Sequence, residues 1–206
     1  MSASIWRAAE PLLLASTSET RRTLLEAAGL PVETEAPGVD ERSIEADFLA
    51  RDVAPAEVAL RLARAKAIAV SRRHPNRLVI GADQTLDCEG ERFHKPADIA
   101  EASAHLARLA GRTHVLHSAA ALARDGVLLS DSIEDARLTL RPLSPAAIAR
   151  YVALAGERAT QSVGAYQVEG LGIHLFERIE GDHAAILGLP LLPLLAALRD
   201  LHALDF

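Results

Sequence analysis

The sequence predicts an α/β protein built on a mixed sheet, and three features of the chain support that prediction. Short apolar runs alternate with longer segments whose apolar residues recur at helical spacing. The run Leu78–Gln84 is nearly continuous in apolar residues, which is typical of a strand buried on both faces in a parallel arrangement. Asp125-Gly126, by contrast, lies between two strand-like runs and is a strong signal for an antiparallel hairpin. The sheet should therefore contain both kinds of strand pair.

In the first half of the chain, two strands and two helices surround an acidic segment. Leu12–Ala15 is apolar and stops at small hydroxyl residues, after which Ser18 is a candidate N-cap for a helix that ends at a glycine. Val32–Ala36 resembles a short strand. The acidic segment Gly38–Asp52 follows, and we interpret it as a solvated loop unless its carboxylates face the functional site. A proline start and helical spacing predict a long helix over residues 55–74.

The second half of the chain continues the alternation of strands and helices. The predicted elements are a hairpin with its tip at Glu89-Gly90, a helix over Asp98–Ala110, strands over Thr113–Ala123 and Val127–Leu140, a helix over Ala146–Leu154, a strand over Ile173–Ile179 and a closing helix over Leu191–Leu201. Ser144 is a suitable N-cap, and Pro145 a suitable first helical residue, for the helix over Ala146–Leu154. His114 and His117 fall on opposite faces of a strand, so we interpret both as structural residues and not as ligands of one metal.

Size, charge and composition limit the classes of function. The chain has 206 residues, of which 50% are hydrophobic, so we expect one domain over residues 1–206, formed as two closely packed lobes. A formal net charge of -6 and an aromatic content of 3% argue against binding to nucleic acid or to a membrane surface. Any phosphate that the protein binds should therefore belong to a small molecule. The sequence leaves a homodimer open.

The single cysteine and the apolar segments indicate a cytoplasmic protein. Cys88 is the only cysteine, which excludes an internal disulfide framework and a zinc cluster of thiolates. The N-terminal residues lack the apolar region of a signal peptide. The most apolar stretch, Ile186–Leu198, is interrupted by glycine and proline and is shorter than the roughly 20 residues of a membrane helix, so we assign it to the core.

The stretch Ser16–Arg22, which we name the phosphate cradle, is the first candidate site. Free backbone N–H groups at a helix N-terminus bind anions, and Ser16, Ser18, Arg21 and Arg22 could add donors matched to phosphate oxygens. The stretch lacks the glycines and the Gly-Lys-Ser/Thr ending of a Walker A loop. An ordinary capped helix with two solvated arginines is the alternative interpretation.

Asp83 is the second candidate, because it comes at the end of the predicted buried strand. Ligands of α/β sheets bind at the carboxyl ends of strands, so Asp83 is placed to act as a base or a metal ligand, although it could instead cap a turn. Glu41 matters only if it faces the cradle, where a carboxylate beside phosphates implies a bridging metal. Lys66, on the long helix, is by itself a surface lysine. Pro96 keeps Lys95 extended, so that this lysine could project into a cleft.

Several separated motifs resemble those of the Maf family of nucleotide pyrophosphatases and occur in the family's order over nearly the whole chain. They are Leu13–Ser18 with Arg21, Val39–Glu41, Gly81–Asp83, Lys95-Pro96, Gly111–His114, Glu169–Gly172 and Glu177–Gly181. The resemblance implies an inosine-triphosphatase-like fold, which is an elongated twisted mixed sheet flanked by helices with a cleft between two lobes. It also implies a house-cleaning hydrolase that requires a divalent metal, Mg²⁺ or Mn²⁺, and that cleaves a nucleoside triphosphate to the monophosphate and diphosphate.

The resemblance also assigns roles to individual residues. The family's functional positions fall on Ser16, Arg21, Glu41, Lys66, Asp83 and Lys95. Asp83 is then the proton acceptor, Glu41 and Asp83 are the carboxylates that hold the metal, and the remaining residues stabilise charge on phosphate oxygens. We expect Arg21 and Lys95 to be surface cations, so that replacing either with alanine leaves thermal stability nearly unchanged.

Three positions bear on the choice of nucleobase. After Ser18 the family usually has Pro-Arg or Pro-Trp, whereas this chain has Glu19-Thr20, which removes a side chain that helps to select the substrate. Gln84 and Glu169 resemble the branch assigned to 7-methyl-GTP, while the dTTP/UTP branch tends to have Thr and Gln there. Glu169 lies in a glycine-rich stretch that is either a binding loop or a simple turn. We expect 7-methyl-GTP as substrate, the alternatives being a dTTP/UTP pyrophosphatase or a nucleotide-binding regulator of cell division without turnover.

Overall fold

The computed structural model describes residues 5–41, 43–44 and 53–205, and within these limits it contains a mixed seven-stranded sheet flanked by helices. The strands are β1 (Leu12–Ala15), β2 (Val32–Thr34), β3 (Val79–Cys88), β4 (Glu91–Phe93), β5 (Thr113–Arg124), β6 (Val127–Leu140) and β7 (Phe176–Glu180). The helices are α1 (Glu19–Ala27), α2 (Pro55–Ser71), α3 (Ile99–Leu109), α4 (Pro145–Ala155), α5 (His183–Ile186) and α6 (Leu191–Asp200), with 3₁₀ segments at Gly156–Thr160 and Leu171–Leu175. The predicted α/β class with a mixed sheet is confirmed.

The sheet combines parallel and antiparallel pairs, as predicted. Its strand order is β2-β1-β3-β5-β6-β7, with β4 paired to β3. Strand β1 lies parallel to both β2 and β3, whereas β4 is antiparallel to β3 and β7 is antiparallel to β6. Asp125 and Gly126 connect β5 to β6 with φ angles of 54° and 78°. Positive φ at both central residues is what a two-residue type I′ hairpin turn requires.

Strand β3 extends further than the sequence predicted, and this changes the position of Asp83. The predicted strand ended at Gln84, but β3 continues to Cys88 because β4 pairs with its last residues. The parallel partner β1 stops at Ala15, which is opposite Gly81. Asp83 therefore lies inside β3 and not at its end. It still follows the last residue paired with β1, so it lies beside the carboxyl end of that strand.

Most other differences from the predicted elements are small. Ser18 is the N-cap of α1, as predicted, and its Oγ accepts a hydrogen bond from the Arg21 N–H. Ile173 was predicted to lie in a strand but belongs to a 3₁₀ segment, and β7 begins only at Phe176, which pairs with Leu140. Residues 42 and 45–52 of the predicted acidic loop lie outside the described residues. Among the helices that are described, none has the length and apolar content needed to cross a bilayer.

The chain forms two compact units. The first contains Met1–Asp83, Ser118–Glu134 and His183–Phe206, and the second contains Gln84–His117 and Asp135–Asp182. The main core of the first unit brings strand residues together with residues of α1 and α6. Its fully or almost fully buried members include Leu12, Leu14, Leu25, Ile80, Leu122, Leu194 and Leu198.

In a second core of the first unit, the buried residues that the structure describes are all alanines. It joins Ala59, Ala63 and Ala67 of α2 to Ala119, Ala121 and Ala123 of β5. Such small side chains allow the helix backbone to approach the sheet closely. The approach is close at Gly81 of β3, where a Cβ atom would lie 2.2 Å from the carbonyl oxygen of Ala63 and 2.5 Å from the nitrogen of Ala67. Residue 81 must therefore be glycine because of the neighbouring helix.

In the second unit, His114 is fully buried against the rings of Tyr166 and Phe176. Its Nε2 atom lies 2.5 Å from the hydroxyl oxygen of Tyr166. Burial lowers the pKa of His114 to about 4, so the imidazole is neutral at neutral pH. On the same strand, His117 Nδ1 lies 2.6 Å from Asp135 Oδ1. Both contacts fit the structural roles predicted for these histidines.

The buried imidazole leads to a prediction about acid stability. His114 has a pKa of about 4 in the folded protein and an ordinary pKa of 6.5 when unfolded, so the unfolded chain binds more protons between these pH values. Folding stability contributed by the neutral ring is thus lost as the pH falls, by about 2 kcal/mol between pH 7 and pH 5. Urea unfolding should show a smaller loss over this range for His114→Gln than for the wild type. Equal losses would mean that the ring does not carry this linkage.

Candidate active site

Lys66, Asp83 and Glu41 form a cluster of opposite charges in the first unit. The Lys66 Nζ atom donates to Asp83 Oδ1 at 2.6 Å and lies 3.1 Å from Glu41 Oε1. The side chains of Lys66 and Asp83 are 7% and 13% exposed, whereas that of Glu41 is 45% exposed. Buried charges are stable only when they are paired. The ammonium therefore fixes the buried carboxylate and also reaches a second one on the solvent side.

Lys66 reaches Asp83 because α2 lies directly against β3. Gly81 and Asp83 are two residues apart, so they face the same side of the strand, and Gly81 packs between Ala63 and Ala67 of the helix. Considered without the family resemblance, the sequence predicted that Lys66 is a surface lysine. That prediction is wrong, since the residue is 5% exposed. Its burial results from tertiary packing, which local spacing does not reveal.

Arg21 is held by the protein itself and is not the surface cation that the sequence predicted. Its Nε donates to the carbonyl oxygen of Gly188 at 2.9 Å, and its Nη1 donates to the carbonyl oxygen of Ala82 at 3.0 Å and to Ser16 Oγ at 3.4 Å. Burial lowers the pKa of Arg21, and the negative charges of Asp83 and Glu41 act in the opposite direction. An arginine nevertheless remains protonated in this setting. Arg21 is thus a structural link as well as a candidate phosphate ligand.

The hydroxyl residues of the phosphate cradle organise the start of α1. Ser16 Oγ accepts a hydrogen bond from the Ser18 N–H at 3.2 Å, and Ser18 Oγ accepts one from the Arg21 N–H at 3.3 Å. Arg22 forms ion pairs with Glu19 at 2.7 Å and with Glu26 at 3.8 Å along the helix surface. The capped helix considered as the alternative is therefore present. Phosphate binding at the same N-terminus stays a prediction.

The two carboxylates on Lys66 are suitable ligands for a divalent cation. Mg²⁺ is usually bound by one or two carboxylates together with substrate phosphates and water, and Glu41 and Asp83 supply that number. Within the described residues, no group of three or more His, Cys, Asp and Glu side chains converges on a metal position. The donor set therefore fits a metal that is shared between the protein and a triphosphate, and does not form a complete protein cage.

The other predicted site residues are Thr20, Gln84, Lys95 and Glu169. Thr20 is partly buried in the first turn of α1. Gln84, Lys95 and Glu169 belong to the second unit, where Gln84 is a partly buried residue of β3 and the other two are exposed. The roles assigned to these residues stay predictions.

Glu169 is carried by a turn in which close packing explains the glycine at position 172. A Cβ atom at Gly172 would lie 2.4 Å from the carbonyl oxygen of Gln167, so the chain can close here only with glycine. Burial raises the pKa of Tyr151, a hydrogen bond with the Gln167 backbone lowers it, and the charge of Glu169 raises it. Tyr151 therefore lies beside the segment that presents Glu169.

Two residues near the site were not found from the sequence. The carbonyl of Gly188 accepts from Arg21 although 167 positions separate the two residues, and the only local signal was a glycine in an apolar stretch. Arg73 holds the segment that precedes Glu41 and gave no signal, because an arginine after a long helix is normally solvated. Both contacts depend on how distant parts of the chain meet.

Similarity to known proteins extends over nearly the whole chain. The family model described as "Maf-like protein" matches residues 11–201. A "Nucleoside triphosphate pyrophosphatase" of Nitrobacter winogradskyi is 55% identical over 196 residues, which are 95% of this chain and 96% of that protein. A "7-methyl-GTP pyrophosphatase" of Rhizobium johnstonii is 55% identical over 194 residues, which are 94% and 98% of the two chains. One of the same name from Mesorhizobium japonicum is 54% identical over 196 residues, which are 95% and 98%. The chain therefore belongs to the Maf family.

Proposed function

We propose that this protein hydrolyses a nucleoside triphosphate to the monophosphate and diphosphate, with 7-methyl-GTP as its preferred substrate. The observation that carries the proposal is the buried Lys66 ammonium in contact with both Asp83 and Glu41. The reaction class agrees with the names of the relatives, which are nucleoside triphosphate pyrophosphatase and 7-methyl-GTP pyrophosphatase.

In the proposed reaction, water attacks the α-phosphorus. At the same time the bond breaks between this phosphorus and the oxygen that bridges it to the β-phosphorus. The electron pair of that bond leaves with the diphosphate, and the proton of the attacking water passes to a base. We assign the base to Asp83, because Lys66 holds its Oδ1 and thereby orients the carboxylate. Oδ2 is then the oxygen assigned to the water.

Charge that develops on the phosphate oxygens requires fixed positive groups. Arg21 uses Nε and Nη1 for protein acceptors, so we assign its Nη2 to a phosphate oxygen, together with the N-terminus of α1. Arg22 and Lys95 are assigned further phosphate contacts. Glu41 and Asp83 are the residues that would hold Mg²⁺ or Mn²⁺, which supplies Lewis-acid polarisation of the phosphate oxygens when bound.

Base selection is assigned to Glu169, with contributions from Thr20 and Gln84. A carboxylate only accepts hydrogen bonds, and the Watson–Crick edge of guanine offers adjacent N1–H and N2–H donors, so the two can pair in bidentate fashion. Uracil and thymine present an acceptor on each side of a single N–H, and facing an acceptor with a carboxylate costs about 1–3 kcal/mol. Methylation at N7 adds positive charge to guanine, which a nearby anion favours further.

The proposal is tested by incubating the purified protein with 7-methyl-GTP, GTP, dTTP and UTP in the presence of Mg²⁺ or Mn²⁺ and measuring diphosphate. We expect the highest kcat/KM for 7-methyl-GTP. A higher value for dTTP or UTP would contradict the assigned base selection while leaving the reaction class intact. Nucleotide binding without diphosphate from any substrate would instead favour a regulator without turnover.

Replacing Glu169 with glutamine should shift the substrate ranking. An amide offers a donor as well as an acceptor, so we expect the ratio of kcat/KM for 7-methyl-GTP to that for UTP to fall by about tenfold or more. Glu157→Gln is the matched control, since Glu157 is also an exposed carboxylate of the second unit. An unchanged ranking in Glu169→Gln would show that this residue does not contact the base.

A further inference from the structure

Arg73, which follows the C-terminal end of α2, binds the segment that leads to Glu41. Its Nε and Nη2 atoms donate to Glu35 Oε1 at 2.9 and 2.5 Å. Nη2 also donates to the carbonyl oxygen of Ala36 at 3.2 Å, and Nη1 donates to that of Pro37 at 3.2 Å. One guanidinium therefore fixes three consecutive residues through a side-chain carboxylate and two backbone carbonyls.

The same segment is anchored to two further parts of the first unit. The Glu35 N–H donates to the carbonyl oxygen of Leu14 at 2.9 Å, which continues the contact between β2 and β1. His74 Nε2 lies 2.5 Å from Glu35 Oε2. The hydrogen bond from Arg73 lowers the pKa of Glu35, so the carboxylate is ionised at neutral pH. Glu35 is thus a charged anchor for the start of the segment.

Glu41 lies four residues beyond Pro37, and its carboxylate contacts Lys66. Lys66 and Arg73 are seven residues apart, which corresponds to about two turns of a helix. The segment from Glu35 to Glu41 is therefore tied at its start to Arg73, just beyond α2, and at its finish to Lys66 of that helix. An ion pair with a half-exposed carboxylate is too weak to order such a segment by itself.

We propose that Arg73 is a positioning residue that holds Glu41 beside Lys66, an inference that rests on the role of Glu41 in the proposed function. Without Arg73, the segment before Glu41 loses the contacts that order it, and this ordering must then occur when substrate and metal bind. Arg73 touches neither Lys66 nor Asp83 among its described contacts, so it acts on the site through Glu41.

A double-mutant cycle tests whether Arg73 acts on the site through Glu41. Arg73→Ala in the otherwise natural protein should lower kcat/KM by about 10- to 100-fold, the size expected when a catalytic group is displaced. In a Glu41→Gln background the same replacement should change kcat/KM by less than about twofold, because the group it positions is already disabled. Arg61→Ala is the matched control, since Arg61 is on the same helix and pairs with Glu57 at 2.5 Å. It should leave kcat/KM unchanged.

Two measurements separate positioning from a general loss of structure. Mn²⁺ titrated into the protein without nucleotide, with binding followed by electron paramagnetic resonance, should be weakened by Arg73→Ala and unchanged by Arg61→Ala. Glu35→Gln removes the charge that Arg73 binds while keeping the side-chain shape, and it should shift Mn²⁺ binding in the same direction. If Arg73→Ala does not yield folded protein, Glu35→Gln serves in its place in the cycle.

Three results would overturn the inference. The first is an equal loss of kcat/KM from Arg73→Ala with Glu41 present and with Glu41→Gln. The second is Mn²⁺ binding that neither Arg73→Ala nor Glu35→Gln alters. The third is Glu41→Gln with natural activity, since Arg73 would then have no catalytic group to position. Failure of the proposed function has a different signature, because the natural protein would then release no diphosphate from any nucleotide.

Discussion

Asp83→Asn is expected to lower kcat by about 10²-fold or more while leaving the protein folded. The amide cannot accept the proton of the attacking water, and it is a poorer metal ligand than a carboxylate. The oxygen of the new amide can still accept the hydrogen bond from Lys66. Lys66 also keeps Glu41 as a counter-ion. The buried ammonium is therefore not left alone, and the melting temperature should change far less than the rate.

A matched control distinguishes the loss of a base from the loss of any ion pair on α2. Asp131 pairs with Arg64 of this helix at 2.5 Å, so Asp131→Asn makes the same chemical change outside the proposed site. It should keep the natural rate of diphosphate release. If Asp83→Asn also turned over at close to the natural rate, the proton acceptor would have to be another group.

Gly81→Val is expected to produce the largest loss of stability among the changes considered, about 3 kcal/mol or more. The new Cβ would overlap backbone atoms of Ala63 and Ala67, at 2.2 and 2.5 Å, and no side-chain rotation can relieve contacts with backbone. Either the helix moves away from the sheet or the strand shifts. In both cases Lys66 is displaced from Asp83, so activity should fall even in the fraction that folds.

Urea unfolding of Gly81→Val and Gly81→Ala measures the effect, with Gly170→Ala as a control. A Cβ atom at Gly170 would meet its nearest neighbour, the carbonyl oxygen of Gln167, at an ordinary 3.8 Å. That variant should stay within about 0.5 kcal/mol of the natural protein. A natural unfolding midpoint for Gly81→Ala would show that the contact between α2 and β3 is looser than described.

Features that depend on neighbouring residues were predictable from the sequence. The cap at Ser18 and the turn at Asp125-Gly126 are decided within a few residues, because a side-chain oxygen or a positive φ angle is needed at a particular position. The mixed sheet followed from these local signals and from the apolar run that contains Asp83. The cleft between two lobes and the inosine-triphosphatase-like shape stay predictions.

Features that depend on distant contacts were not predictable. The burial of Lys66 requires α2 to lie against β3, and the helical spacing alone did not distinguish a site lysine from a surface lysine. The contact of Arg21 with Gly188 joins residues that are 167 positions apart in the chain. The length of β3 depended on its pairing with β4, which moved Asp83 from the end of a strand into its interior.

The core of buried alanines between α2 and β5 limits how this protein can be engineered for higher stability. Its six side chains, those of Ala59, Ala63, Ala67, Ala119, Ala121 and Ala123, are at most 2% exposed. Cavity filling is a common route to thermostable variants, but a larger side chain at this contact would lift the helix from the sheet. Lys66 and Arg73 would move with the helix, so a gain in packing would be accompanied by a loss of rate. Stabilising substitutions should therefore be sought on the solvent face of α2, where a change of side chain leaves the distance between helix and sheet as it is.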